Sequence, residues 1–338
     1  MAGDKVVIAP DKFRGTASAP EIAEWISQYF LECGNSVMKL PMSDGGEGLL
    51  SVFDGVVRSA KVTGADGRRI TSDYKLDGSQ AIIESAAAIG LSLVGGPEFN
   101  QPLTATTKGV GELIRDAVFA GAKRIIVGCG GSATTDGGMG AIEALEPISR
   151  LAGVELIVAV DVQTRFSQAA VEFAGQKGAS PSQIELLSRR LQALEKTYRT
   201  RFGVDISKIP GAGAAGGLAG GLAAIGGTIV SGFDLVSEVN GLHEALDEAS
   251  LVITGEGYLD DQSFNGKVVG GVVALCIDRS IPYLVLTGDI DPDIYSRLPD
   301  SSRFYSLVSE AGYELAWNST QTAISKVLRK VLGEPSGS

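Results

Sequence analysis

The sequence has little of what the commonest catalytic chemistries require. Among 338 residues there is one histidine, His243, in the helical context "GLHEAL". A Ser-His-Asp triad would need that residue, and no G-x-S-x-G elbow is present to carry a nucleophile. Histidine-based zinc catalysis is excluded by count. The three cysteines, Cys33, Cys129 and Cys276, lie far apart and lack C-x-x-C spacing. That excludes a disulfide framework, argues against a cysteine zinc site and fits a reducing, cytoplasmic setting. Basic charge is also scarce, and the formal net charge is -11. Phosphate-backbone binding needs a basic face, so nucleic acid is an unsuitable partner. Any polyanionic substrate must be held by a few local cations, glycine-rich backbone or a metal ion. Long apolar runs are missing as well. The stretch "GAGAAGGLAGGLAAIGG" (211–227) is long and uncharged but too rich in glycine to read as a membrane span.

Glycine is abundant, with 45 residues, and it is placed after apolar runs. "KVVIAP" (5–10) reads as a strand followed by the loop "DKFRG" and a helix. Ser18 and Glu21 form a capping-box pattern with Pro20 in the first turn, and Ile22, Trp25, Ile26 and Tyr29 form a core stripe. "SVMKLP" leads into "MSDGGEG" (42–48). Residues 56–84 alternate apolar and polar positions around Asp66-Gly67 and Asp77-Gly78, which predicts antiparallel hairpins. Beyond them, "KRIIVGCGG", "VELIVAVDV", "ASLVITGEGYLD", "IPYLVLTGD" and "RFYSLV" alternate with helical segments. This is the pattern of an open α/β sheet. The expected architecture is two α/β domains. A Rossmann-like domain comes from residues 1–60 and 241–338, and a second domain from residues 61–240 is inserted into it.

The glycine-rich loop "GCGGSATTDGGMG" (128–140) fits the dinucleotide fingerprint at Gly128, Gly130 and Ala133. That fingerprint needs an acidic residue about 20 positions on, closing the next strand. Glu155 has the spacing but opens its strand, and Asp161 closes the strand but lies too far along. The dinucleotide reading fails its context. A Walker A loop fails too, because Val268 follows Gly266-Lys267 where Ser or Thr is required. What remains is a series of strand-ending loops that combine glycine with ionisable groups. Asp11, Asp44, Glu47, Asp136, Asp161, Glu256 and Asp260 could bind Mg2+ or take a proton. Lys12, Arg14, Lys177 and Lys267 could neutralise phosphate or carboxylate. Each loop alone also fits a strand-ending turn or a helix cap, but the set together suits phosphoryl transfer.

Taken in order, these loops resemble the bacterial type I glycerate kinases. The matching stretches are "APDKFRG" (9–15), "PMSDGGEG" (41–48), "ESAAAIGL" (84–91), "TTKGVGELI" (106–114), "GCGGSATTDGGMG" (128–140), "QKGA" (176–179), "PGAGAAGGL" (210–218) and "VITGEGYLDDQSFNGK" (252–267). The resemblance covers most of the chain. It implies ATP-dependent, Mg2+-assisted phosphorylation of D-glycerate, usually at the 2-hydroxyl, on two α/β domains with a cleft between them. Charge and hydropathy already point to no nucleic-acid or membrane partner, and a homodimer stays open.

On that resemblance Asp136 and Asp161 are the candidates for orienting or deprotonating the glycerate hydroxyl. Asp44, Glu256 and Asp260 are the candidate metal ligands. Asp11, Lys12, Arg14, Gly45, Gly46, Glu47, Gly130, Gly131, Ser132, Thr134, Lys177, Gly213, Gly216 and Lys267 are expected to bind substrate or phosphate. Three departures from the family pattern stand out. Arg14 replaces a lysine. About thirty residues are absent between the "DGG" helix and the next strand. An Asn-Pro-Leu turn is replaced by Thr164-Arg165-Phe166 in the run Val160 to Phe166. These departures motivate a second reading, a diverged, weakly active or inactive homologue that binds a nucleotide or small organic acid in a regulatory role.

Overall fold

The computed structural model describes residues 5–264 and 266–335. They form two compact units, one from residues 1–44 and 233–338 and the other from 45–232. Strands are numbered along the chain. In the first unit, β1 (Lys5–Ile8), β2 (Ser36–Lys39), β9 (Leu251–Leu259), β10 (Tyr283–Ile290) and β11 (Phe304–Ser306) build a parallel sheet in the order β11-β10-β9-β1-β2. The near-continuous apolar runs of β1, β9 and β10 suit strands covered on both faces.

The helix Ala19–Glu32 starts as its capping box requires, with the Ser18 N–H donating to Glu21 Oε2 at 2.9 Å. Its buried Ile22, Ala23, Ile26 and Phe30 pack with Ala323, Ile324, Val327 and Leu328 of the helix Thr320–Leu332. Each such aliphatic side chain contributes about 1.5–3 kcal/mol on burial. Trp25, expected in the same stripe, is only partly buried at its edge. The strand order reverses between β1 and β9, which opens a crevice beyond their carboxyl ends. There the Asp11 N–H donates to the Gly255 carbonyl at 2.8 Å.

The second unit holds β3 (Val56–Thr63), β4 (Arg69–Asp77), β5 (Gln80–Glu84), β6 (Arg124–Gly128), β7 (Glu155–Val160) and β8 (Thr228–Ser231), hydrogen-bonded in that order. The β3-β4-β5 segment is antiparallel, with Asp66-Gly67 and Asp77-Gly78 at its two reversals, and the remaining pairs are parallel. β3 pairs with β4 along its whole length, from Val56↔Leu76 to Thr63↔Arg69. The units therefore divide after Asp44 and Gly232, rather than at the 60/61 and 240/241 boundaries read from composition. A strand cannot be separated from the partner that satisfies its backbone.

One core cluster joins Ile83, Val127 and Val158 of the sheet to Leu113 and Ile114 of the helix Lys108–Phe119 and to Leu218 and Leu222 of the helix Ala214–Ala224. A second gathers Phe166 with Leu187, Leu191 and Tyr198 of the helix Pro181–Phe202. The glycine-rich 211–227 stretch is thus a buried helix with its lead-in. Among the described residues no helix is long and apolar enough to cross a membrane.

Candidate active site

In the first unit the carboxyl ends of β1 and β9, with the loop after β2, gather charge from four segments. Asp11 and Asp44 are buried. Burial pushes the Asp11 carboxyl up to about 7, helped by the charge of Asp44 and opposed by Lys12, whose Nζ lies 3.6 Å from Asp11 Oδ1. Burial likewise raises Glu256 to about 8; the Ser263 hydroxyl and Lys267 oppose that rise, and Asp11 and Asp260 add to it. The Glu256 Oε1 atom is buried with no hydrogen-bond partner.

Asp260 serves the turn Asp261–Phe264, accepting from the N–H of Gln262 at 2.8 Å and of Ser263 at 3.2 Å. Among the described residues no group of three or more His, Cys, Asp or Glu side chains could hold a metal ion. Asp44, Glu256 and Asp260, the metal ligands expected from the sequence, make up no such group, and backbone N–H donors hold Asp260. Lys267 immediately precedes the helix Val268–Asp278, and Arg14 is exposed on its loop. Asn265, within the same motif as Lys267, lies outside the described residues.

In the second unit the 128–140 loop folds against the 211–218 loop. Ala215, Gly216 and Gly217 are all left-handed. The Gly137 N–H donates to the Gly216 carbonyl at 3.1 Å. A Cβ on Gly216 would overlap the Thr134 carbonyl, so this approach requires glycine. Lys177 is buried, and its Nζ donates to Ser132 Oγ at 3.0 Å and to the Thr134 carbonyl at 2.8 Å. Desolvation lowers its pKa to about 7, with the charge of Asp136 acting in the opposite sense.

The Asp136 carboxylate is held by four local donors. Its Oδ2 accepts from the Thr107 N–H at 2.8 Å, the Thr107 hydroxyl at 2.9 Å and the Gly140 N–H at 3.2 Å, while Oδ1 accepts from the Gly138 N–H at 3.1 Å. Burial raises its pKa, and these donors oppose the rise.

Asp161 stands elsewhere, beyond the end of β7, where its charge helps burial raise the thiol pKa of Cys129. Gly45 and Gly46 are buried and Glu47 is exposed; a Cβ on Gly130 would sit 2.7 Å from Gly46 Cα, so the two glycine loops touch. Gly131 is left-handed, and Gly213 donates its N–H to Thr164, which shows how the altered 162–166 segment stays docked.

Four residues that organise these loops went unmarked in the sequence. Glu84 Oε2 accepts from the N–H of Gly48 at 3.0 Å. Asn100 Nδ2 donates to the carbonyls of Ala133 and Lys177. Thr107 and Ser263 hold Asp136 and Asp260. Glu84, Thr107 and Ser263 lay inside motifs that resemble the family's; Asn100 carried no such signal.

Parallel sheets with glycine loops, buried carboxylates and a buried lysine at strand carboxyl ends define an α/β enzyme equipped for an anionic substrate. The chain matches the profile of the Glycerate kinase family over residues 6–148 and 146–333, and the two matches meet at the shortened connection after the "DGG" helix. It belongs to that family. It is 35% identical over 332 residues to glycerate 2-kinase of Escherichia coli (strain K12), covering 86% of each chain. It is 36% identical over 329 residues to glycerate kinase of Bacillus subtilis (strain 168), again with 86% of each covered. The crystal structure of a protein assigned as glycerate kinase 2 from Salmonella typhimurium LT2 superposes with a TM-score of 0.79 at 31% identity, covering 98% of both chains.

Proposed function

We propose that this chain transfers the γ-phosphoryl group of ATP to the 2-hydroxyl of D-glycerate, giving 2-phosphoglycerate and ADP. One observation carries this reading. Asp11, Glu256 and Lys177, three groups with strongly displaced ionisation, all lie on loops shared with the family. Displaced ionisation of this kind collects at working sites.

Phosphoryl transfer needs positioning and charge neutralisation more than covalent chemistry. In its charged form Lys177 has three N–H donors, two of them held by Ser132 and Thr134, and the third is available to an anion. Lys12, Arg14 and Lys267 supply further positive charge. The backbone N–H groups of Gly45, Gly46, Gly130, Gly131, Gly213 and Gly216 give close approach to phosphate oxygens. Asp161 takes the proton of the glycerate hydroxyl as its oxygen bonds to phosphorus. Asp136 acts through the loop it ties together.

Mg2+ fits the acidic group of the first unit. The orphaned Glu256 Oε1 and the mutual repulsion with Asp11 are both relieved by a cation. Mg2+ takes one or two carboxylates with phosphates and water, so a three-donor cage is not needed. Glu256 with Asp11 or Asp44 would hold it, and when bound it would neutralise charge on the ATP phosphates.

The test incubates the chain with Mg-ATP and D-glycerate and follows ADP, with enolase added to detect 2-phosphoglycerate directly. Glycerate-dependent ADP release with immediate enolase signal is expected. Signal that appears only after a phosphoglycerate mutase is added would move the transfer to the 3-hydroxyl. No glycerate-dependent release would sink the proposal.

A further inference from the structure

A cavity of about 410 Å³ lies within the second unit, between the 102–105 loop, the 135–139 turn and the helix Pro181–Phe202. Its lining includes none of Gly45–Glu47, Gly130–Ser132, Asp161, Lys177 or Gly213–Gly216, so it is separate from the residues assigned above to ATP and glycerate. The walls are apolar, formed chiefly by Leu103, Met139, Leu187 and Leu194. Two polar features break them. Thr135 is one of the lining residues, and its hydroxyl, buried in a residue only 2% exposed, has no hydrogen-bond partner. A buried hydroxyl without a partner costs about 1–3 kcal/mol, which an occupant can return. Arg190 also lines the cavity. Its guanidinium donates to the Leu103 carbonyl at 2.9 Å and, among the described residues, has no carboxylate partner. That bond holds one of five N–H donors and keeps the group beside the apolar wall.

We propose that this cavity binds a small amphipathic carboxylic acid. The carboxylate pairs with Arg190, a hydrocarbon or aromatic body covers the leucine wall, and a hydroxyl or carbonyl at the far end meets Thr135. The volume is that of ordinary small-molecule sites, which combine apolar walls with a few placed polar groups. Glycerate itself has no apolar body to fill such walls. Asp136, which ties Thr107 to Gly138 and Gly140, borders the same cavity.

The test is calorimetric titration of the full chain with para-hydroxyhydrocinnamate, which carries all three groups. Saturable binding is expected, about tenfold weaker in Arg190→Gln from the lost charge-assisted contact. Ala193→Trp, at an exposed position on the cavity wall, abolishes binding while circular dichroism stays unchanged. The neutral hydrocinnamyl alcohol binds about tenfold more weakly than hydrocinnamate. Absence of saturation in the parent chain, or undiminished binding in Ala193→Trp, overturns the site. Equal binding of alcohol and acid overturns the ligand class.

Discussion

Asp136 accepts both the backbone N–H and the hydroxyl of Thr107, at 2.8 and 2.9 Å. With Gly138 and Gly140 on the same carboxylate, one side chain closes the start of two helices, Lys108–Phe119 and Met139–Leu145. An aspartate so occupied is a brace. Asp136→Ala is expected to lose about 3 kcal/mol of stability, because several buried donors lose their acceptor together. Urea denaturation measures this, and an unchanged midpoint would remove the bracing role.

Asp161 is expected to behave in the opposite way. Asp161→Asn should keep the parent circular dichroism and urea midpoint while turnover falls by about 100-fold or more, as for loss of a general base. Near-parent ADP release from this variant would take Asp161 out of the chemistry.

Lys177 makes the chain pH-sensitive in a defined window. Its folded pKa, near 7, lies below the ordinary lysine value of 10.5. Between those values the unfolded chain binds the extra proton, so this group makes folding more favourable as pH rises from about 7 to 10.5. Lys177→Met should flatten that rise in a comparison of parent and variant by urea denaturation. At pH 8 the resting lysine is largely neutral, and an incoming anion favours its charged form. Mg-ATP or glycerate binding to the parent should therefore take up a proton, seen by calorimetry in two buffers of different ionisation enthalpy, and Lys177→Met should take up less.

Glu256 has the opposite sign. Its folded pKa, about 8, lies above the ordinary 4.5, so its burden is absent below 4.5 and grows as pH rises through 8. Glu256→Gln should gain stability relative to the parent across that window in the ligand-free chain, yet lose Mg-ATP-dependent stabilisation. A stability difference that is flat with pH would show that the carboxyl is not held in its neutral form.

The Gly216 contact gives a steric prediction. With φ of +67 and the Thr134 carbonyl in the place a Cβ would take, Gly216→Ala should cost at least about 2 kcal/mol. It should also displace Lys177 from Thr134 and so weaken ATP or glycerate binding. A parent-like thermal midpoint would argue against this close approach.

The sequence made the parallel strands and both D-G reversals legible, because runs such as "LVITG" and "YLVLTG" and the dipeptides Asp66-Gly67 and Asp77-Gly78 act through local chemistry. The family was legible from the order of the loops. The division of labour within the loops was not. Asp136, Asp161 and Asp260 look alike in one dimension, each lying in a segment that follows an apolar strand run. Only the folded backbone reveals that Asp136 and Asp260 face N–H groups. Asn100 stayed hidden because it joins Ala133 to Lys177 across a sequence separation that no local pattern encodes. The division after Asp44 was equally non-local, since it depended on the strand with which β3 pairs.

The placement of β1 between β2 and β9 bears on how the chain is made. Ala9 receives the Thr254 hydroxyl across 245 positions of sequence, so the first strand emerges long before its second neighbour exists. Residues 45–232, by contrast, are contiguous and can complete their sheet while synthesis continues, as domains generally fold in units. The amino-terminal forty-four residues must wait with one flank of β1 unpaired until the last hundred arrive. Contacts between such distant segments are the slow ones in folding. A strand made early is thus among the last to be finished, and Asp11 reaches its working surroundings only when β9 closes beside it.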